Sequence, residues 1–153
     1  MASERTYNIT FRGVSVSAVQ DLCAAYAGAN MAIEIVSIAL GQITQTNVEN
    51  LQISIKHIAA TVTAGSGGNS FTPVADNPTD AAATFTARIN DTTQASGTTT
   101  YPHADVYSEL NGYQWIFPRR PSCKPSEALI LSLDSAPSAA RTMTGTMKVR
   151  ELF

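Results

Sequence analysis

Ile33 to Ser70 decides the fold: IEIVSIALGQ (33–42), ITQTNVE (43–49), NLQISIKHIAA (50–60), then the glycine-rich TAGSGGNS (63–70). Leu51, Ile53 and Ile55 alternate with Gln52, Ser54 and Lys56. That period of two suits a strand with one face buried. The preceding run reads differently. Ile33 and Ile35 fall on one parity, and Val36, Ile38 and Leu40 on the other. Apolar residues on both faces predict a central strand, or one covered by a partner subunit. Ile33, Ile35, Val36, Ile38 and Leu40 are therefore the expected oligomer face. A helix is disfavoured by the β-branched content and by Gly41 at the end of the run.

The same grammar recurs outward in both directions. Tyr7, Ile9 and Phe11 alternate with polar neighbours, and Gly13 marks a candidate bulge before Val14 and Val16. Residues 18–27, AVQDLCAAYA, carry helix-forming alanines but follow a strand and end at Gly28, and are read as a strand. Thr84–Ile89, His103–Leu110, Tyr113–Phe117, Leu129–Leu133 and Met143–Arg150 alternate likewise, and Asn111-Gly112 is a two-residue turn signal. About eight strands at short, even spacing predict an all-β, antiparallel sandwich or jelly roll. The chain is read as one domain over 1–153, with 1–6 as an N-terminal arm.

Composition bounds the function. At 153 residues, roughly 68–70% of the unfolded surface can be buried, enough for a core without staples. Hydrophobic residues make up 44% and charged ones only 14%, with a net charge of −2. No basic stripe exists to neutralise phosphates, so nucleic acid is not an expected partner. The local cluster Arg119, Arg120 and Lys124 is broken by Pro118, Pro121 and Pro125, and reads as a solvated turn. No leader pattern opens the chain and no apolar run is long enough for a membrane span, so synthesis in a cytoplasm is expected. Cys23 and Cys123 lack metal-site spacing; two reduced thiols are expected, a disulfide between them being the alternative.

Catalytic equipment is thin. His57 extends an apolar face and reads as a core-edge histidine. His103 and Asp105 share a strand face but make only two ligands of a metal site. Gly65, Gly67 and Gly68 resemble a phosphate cradle only superficially, because no Gly-Lys-Ser/Thr follows. Asp76, Asp80 and Asp91 lie in turns. Tyr113, Trp115 and Phe117 share one strand face, which favours packing over a sugar-stacking platform. No enzyme, metal or cofactor is expected.

Ordered pieces of the chain carry a resemblance. They are IALGQ (Ile38–Gln42), NVENLQISIKHI (Asn47–Ile58), GSGGNSFTP (Gly65–Pro73) and AAATFTARINDTTQASGTT (Ala81–Thr99). NGYQW (Asn111–Trp115), the Pro-bounded loop Pro118–Pro125 and SAPSAARTMTGTMKVRE (Ser135–Glu151) complete the order. From Ala18 to Glu151 the sequence resembles a diffuse group of small virion proteins of tailed bacteriophages, the head decoration or cement proteins. Arg119 and Arg120 depart from the group, which often has an acidic residue in that loop. The resemblance implies a structural protein bound to the outer capsid surface, with the major capsid protein and itself, as a homotrimer, for partners. It brings no catalytic residues. Gly65, Ser66, Gly67, Gly68, Asn69, Arg119, Arg120 and Lys124 are the candidate shell-contact positions, because loops gather at sandwich ends and carry binding. A tail or baseplate component that binds carbohydrate is the alternative. A cellular jelly-roll enzyme or lectin is a third reading.

Overall fold

A computed structural model describes residues 4–43 and 48–153. The chain is all-β, two antiparallel sheets of six strands packed as a sandwich. Sheet A holds β1 (Thr6–Val16), β3 (Ala32–Gln42), β6 (Val74–Ala75), β9 (Tyr113–Ile116), β10 (Ser122–Cys123) and β12 (Arg141–Leu152). Its order is β10-β3-β12-β1-β6, with β9 sharing the outer edge of β3. Sheet B holds β2 (Gln20–Tyr26), β4 (Asn50–Ile58), β5 (Asn69–Phe71), β7 (Thr86–Asp91), β8 (Thr99–Ser108) and β11 (Ala128–Leu133). Its order is β5-β7-β2-β11-β4-β8. Among the described residues there are twelve strands; β9 answers to the expected Tyr113–Phe117 strand, and β5, β6 and β10, of three residues or fewer, were not expected.

β12 follows the alternation expected of it. Met143, Gly145, Met147 and Val149 point inward, and Thr144, Thr146, Lys148 and Arg150 are only half-buried. Its neighbour β1 is interrupted where Gly13 stands: the register shifts between Phe11 and Val14, and Gly13 takes φ +58°. That left-handed backbone suits glycine, and the Gly13 N–H donates to Thr144 Oγ1 at 3.0 Å.

The two-faced reading of β3 is corrected. Ile33, Ile35, Ile38 and Leu40 all lie in the core of the chain itself, and Val36 is half-buried. The cause is a bulge. β12 residues Lys148 and Val149 pair with Ser37 and Ile35, so Val36 has no partner of its own. One unpaired residue inverts the parity, and both halves of the strand turn inward. These residues meet sheet B of their own chain, where Leu22, Ile53, Ile55, Leu129 and Leu131 face them. They are not a face left over for a second copy.

Part of the outer side of sheet B is covered as well. Segment 59–68 crosses from β4 to β5, and segment 92–98 crosses from β7 to β8. The two meet in antiparallel fashion over the sheet. Thr63 and Ser96 exchange N–H···O bonds of 2.9 and 3.0 Å, and Ser66 and Thr93 exchange a second pair of 3.0 and 2.9 Å. Beneath them lies a small second core of Ala24, Ile58, Ala95, Ala128 and Ile130. The glycine-rich loop is thus part of a packed lid. A Cβ on Gly68 would collide with the Ile89 carbonyl oxygen, and Gly67 holds φ +89°.

A bulge opposite Leu131 and Ser132 turns Asp21 to this covered face. There Asp21 accepts Lys56 Nζ at 2.5 Å and the Ala95 N–H at 2.7 Å. Both side chains of the pair are buried. Burial raises the Asp21 carboxyl above its ordinary value, and Lys56 only partly offsets this.

Of the expected arm, residues 1–3 lie outside the described residues. Arg5 is already tied down, since its carbonyl accepts the Glu151 N–H at 3.0 Å. Cys23 and Cys123 are separate buried thiols, and burial pushes Cys123 up to about 12.

Candidate interaction surface

β8 closes sheet B on one side and β9 lies at the edge of sheet A on the same side. The Asn111-Gly112 turn between them does not make a hydrogen-bonded hairpin. β8 pairs with β4 and β9 pairs with β3, so the turn carries the chain from one sheet to the other. Gly112 takes φ +67° at this corner.

Side chains from the two strands stitch the margin together. Tyr113 Oη donates to Asp105 Oδ2 at 2.9 Å and lies 2.9 Å from His103 Nε2. A hydroxyl that donates to the carboxylate must accept from the imidazole, so His103 carries its proton on Nε2. The Val106 N–H first, then Tyr113, hold the Asp105 carboxyl below its ordinary value. Burial, then Asp105, push the Tyr113 hydroxyl up. Trp115 stacks on His103 with centroids 5.6 Å apart and planes 28° from parallel, and Phe117 meets the same ring edge-on at 5.0 Å. The expected pair His103 and Asp105 is therefore brought together through a tyrosine. Among the described residues no group of three His, Cys, Asp or Glu gathers to hold a metal.

The expected single face of Tyr113, Trp115 and Phe117 divides by depth: Phe117 is buried, Tyr113 half-buried and Trp115 exposed. Apolar exposure continues along the margin. Val106 is 57% exposed, Leu110 55%, Trp115 41% and Ile116 67%. The signal in the sequence was an inverted strand. In β8 the polar His103 and Asp105 point in, and Ala104 and Val106 point out.

The expected loop positions separate. Gly65 is buried, and its N–H donates to Tyr26 Oη at 3.2 Å, so it is removed from the set of contact positions. The Gly68 N–H donates to the buried Asp91, which Arg88 clamps through Nε at 2.8 Å and Nη2 at 2.7 Å. Ser66, Gly67 and Asn69 stay exposed. In the Pro-bounded loop, Arg119 and Lys124 are exposed, whereas Arg120 Nη1 donates to Glu34 Oε1 at 2.7 Å. Glu34 also pairs with Arg150. Arg119, Arg120, Pro118 and Pro121 flank Trp115, Phe117 and His103 around a shallow groove of about 350 Å³. His57 is half-buried and pairs with Glu127 at 2.7 Å.

Comparison with protein-family models, curated proteins and solved structures finds no match to this chain.

Proposed function

We propose that this chain is a capsid decoration, or cement, protein of a tailed bacteriophage, bound to the outer surface of the head as a homotrimer. The observation that carries the reading is the apolar margin of Val106, Leu110, Trp115 and Ile116. Large apolar side chains left exposed on and beside the strands that edge the two sheets suit contact with another macromolecule. The ordered motifs between Ala18 and Glu151 supply the kind of macromolecule, a phage shell. The sandwich is read as a jelly-roll variant. It is made in the host cytoplasm and contacts the major capsid protein, without nucleic acid or membrane.

The margin, with the exposed loop residues Ser66, Gly67, Asn69, Arg119 and Lys124, forms the docking set. Each copy bridges neighbouring shell subunits. Individually weak contacts then add through the repeated lattice. Binding to the assembled shell and not to its separated subunits stabilises the particle by linkage.

The test is co-sedimentation with shells of the encoding phage assembled without this protein. The native chain pellets with the shells, and the Leu110→Asp/Ile116→Asp double variant, at exposed positions that make no ring contact, stays in the supernatant with a melting temperature close to the native one. Equal pelleting of both overturns the margin as the docking surface. No pelleting of the native chain, with gold label found on tails instead, replaces the head reading with the tail or baseplate one.

A further inference from the structure

A second groove lies on the outer face of sheet B, between the 92–98 crossing and β8. It has a volume of about 420 Å³, within the range of roughly 300–1,000 Å³ typical of small-molecule clefts. Gln52 and Ser54 reach it from β4, Tyr101 from β8, Gln94 from the crossing segment and Asp134 from the end of β11. Val19 and Ala104 supply apolar wall. None of the margin residues Leu110, Trp115 or Ile116 lines it.

The chemistry is specific in kind. Tyr101 is 62% exposed and offers an aromatic face. Gln94 Nε2 donates to Ser132 Oγ at 2.8 Å, which fixes the amide and leaves Oε1 as an oriented acceptor. The Asp134 N–H donates to the Gln52 carbonyl at 2.8 Å, which fixes the Asp134 backbone against β4, and both residues line the groove. Ser54 is only 2% exposed, yet its Oγ has no hydrogen-bond partner among the described residues. Buried hydroxyls are normally satisfied, so an orphan at the floor of a polar groove calls for a ligand or its water. No Lys, Arg or His is among the lining residues, so the groove is ill-suited to phosphates and other anions.

From this set we infer that the groove binds a neutral pyranoside. One C–H face of the ring stacks on Tyr101. The hydroxyl rim donates to Asp134 and Gln94 Oε1, and exchanges bonds with Gln52 and Ser54. The site is independent of where the protein sits on a particle, and its test does not use shells.

Ser54 provides the discriminating variant. An unpaired buried hydroxyl weakens the fold, so Ser54→Ala should raise the melting temperature while weakening the ligand. The experiment titrates the full ¹⁵N-labelled chain with methyl β-D-glucopyranoside, methyl β-D-galactopyranoside and methyl α-D-mannopyranoside, with glycerol and methyl glucuronate as controls. At least one neutral glycoside gives saturable shifts centred on Gln52, Ser54, Gln94 and Tyr101, and neither control does. Tyr101→Ala weakens that glycoside at least about tenfold, and Ser54→Ala weakens it while melting higher than the native chain. The inference is overturned by no saturable shift with any of the three, by shifts elsewhere on the molecule, by equal response to a control, or by unchanged affinity in both variants.

Discussion

Arg141 Nε donates to Glu109 Oε1 at 2.7 Å, and both side chains are wholly withdrawn from water. Arg141 opens β12 and Glu109 sits in the corner between β8 and β9, so the pair ties the apolar margin to the central strand of sheet A. Glu49 joins them: its N–H donates to Glu109 Oε2 and its Oε1 accepts from Arg141 Nη2, each at 3.4 Å. Removing one partner of such a pair leaves a buried charge uncompensated, at about 3–5 kcal/mol. Glu109→Ala and Arg141→Ala should each lose stability on that scale in urea unfolding. The Glu109→Leu/Arg141→Met double variant should lose far less than the sum of the two single losses, because both fully buried charges are gone and the remaining Glu49 carboxylate is partly exposed.

Burial separates the core of β3 from the exposed β9. Ile38→Ala should cost about 2–5 kcal/mol, since its side chain lies between the sheets. Ile116→Ala should stay within about 0.5 kcal/mol of the native chain. Urea midpoints for the two variants check the contrast directly, and a large loss at Ile116 would mean that the margin is part of the core.

The lid over sheet B depends on glycine. Gly68→Ala should destabilise by roughly 1–3 kcal/mol, because its Cβ meets the Ile89 carbonyl, which is backbone and cannot swing away. Ser66→Ala, at an exposed position in the same segment, should be close to neutral. Thermal melts of the two variants distinguish a packed crossing from a loose loop.

Stability should fall on the acid side. Asp105 is held below its ordinary 3.8 by the Val106 N–H, then by Tyr113. In Glu127, burial pushes up, but His57 and the Lys124 N–H outweigh it and hold the group below its ordinary 4.5. Carboxyls depressed in the folded state contribute stability that is present above their unfolded values and lost as pH falls through the folded ones. Asp21 has the opposite sign. Burial raises it above 3.8, so its burden is present at neutral pH and is relieved as pH falls through the folded value. The melting temperature should therefore hold or rise slightly from neutral into mild acid, then drop below about 4.5. Asp105→Asn should flatten part of that drop.

How much was legible in the sequence follows from how local each feature is. β12 was readable because nothing interrupts its alternation, and even Arg141 and Glu151 announce themselves as charges on the apolar parity. Gly13 marked its own bulge. The bulge at Val36 has no such mark, because it is set by the register of β12 far along the chain, and it reverses the reading of Ile33–Leu40. The short strands β5, β6 and β10 hold too few residues to show a period. Tyr113 between Asp105 and His103, and Gln94 over Ser132, join segments by tertiary contact alone. The glycines near Gly68 were read as contact-loop positions, but their small size serves close packing against residues 89–93.

The proposed cement role is tested most directly by comparing particles of the proposed phage made with and without this protein. Rupture temperature is read by DNA release on heating, and gold-labelled protein is located by electron microscopy. The cement assignment predicts that particles lacking the protein release DNA at a lower temperature, that adding purified native chain restores the higher one, and that label is spread over the head. Identical release curves, with label confined to the tail, would contradict it.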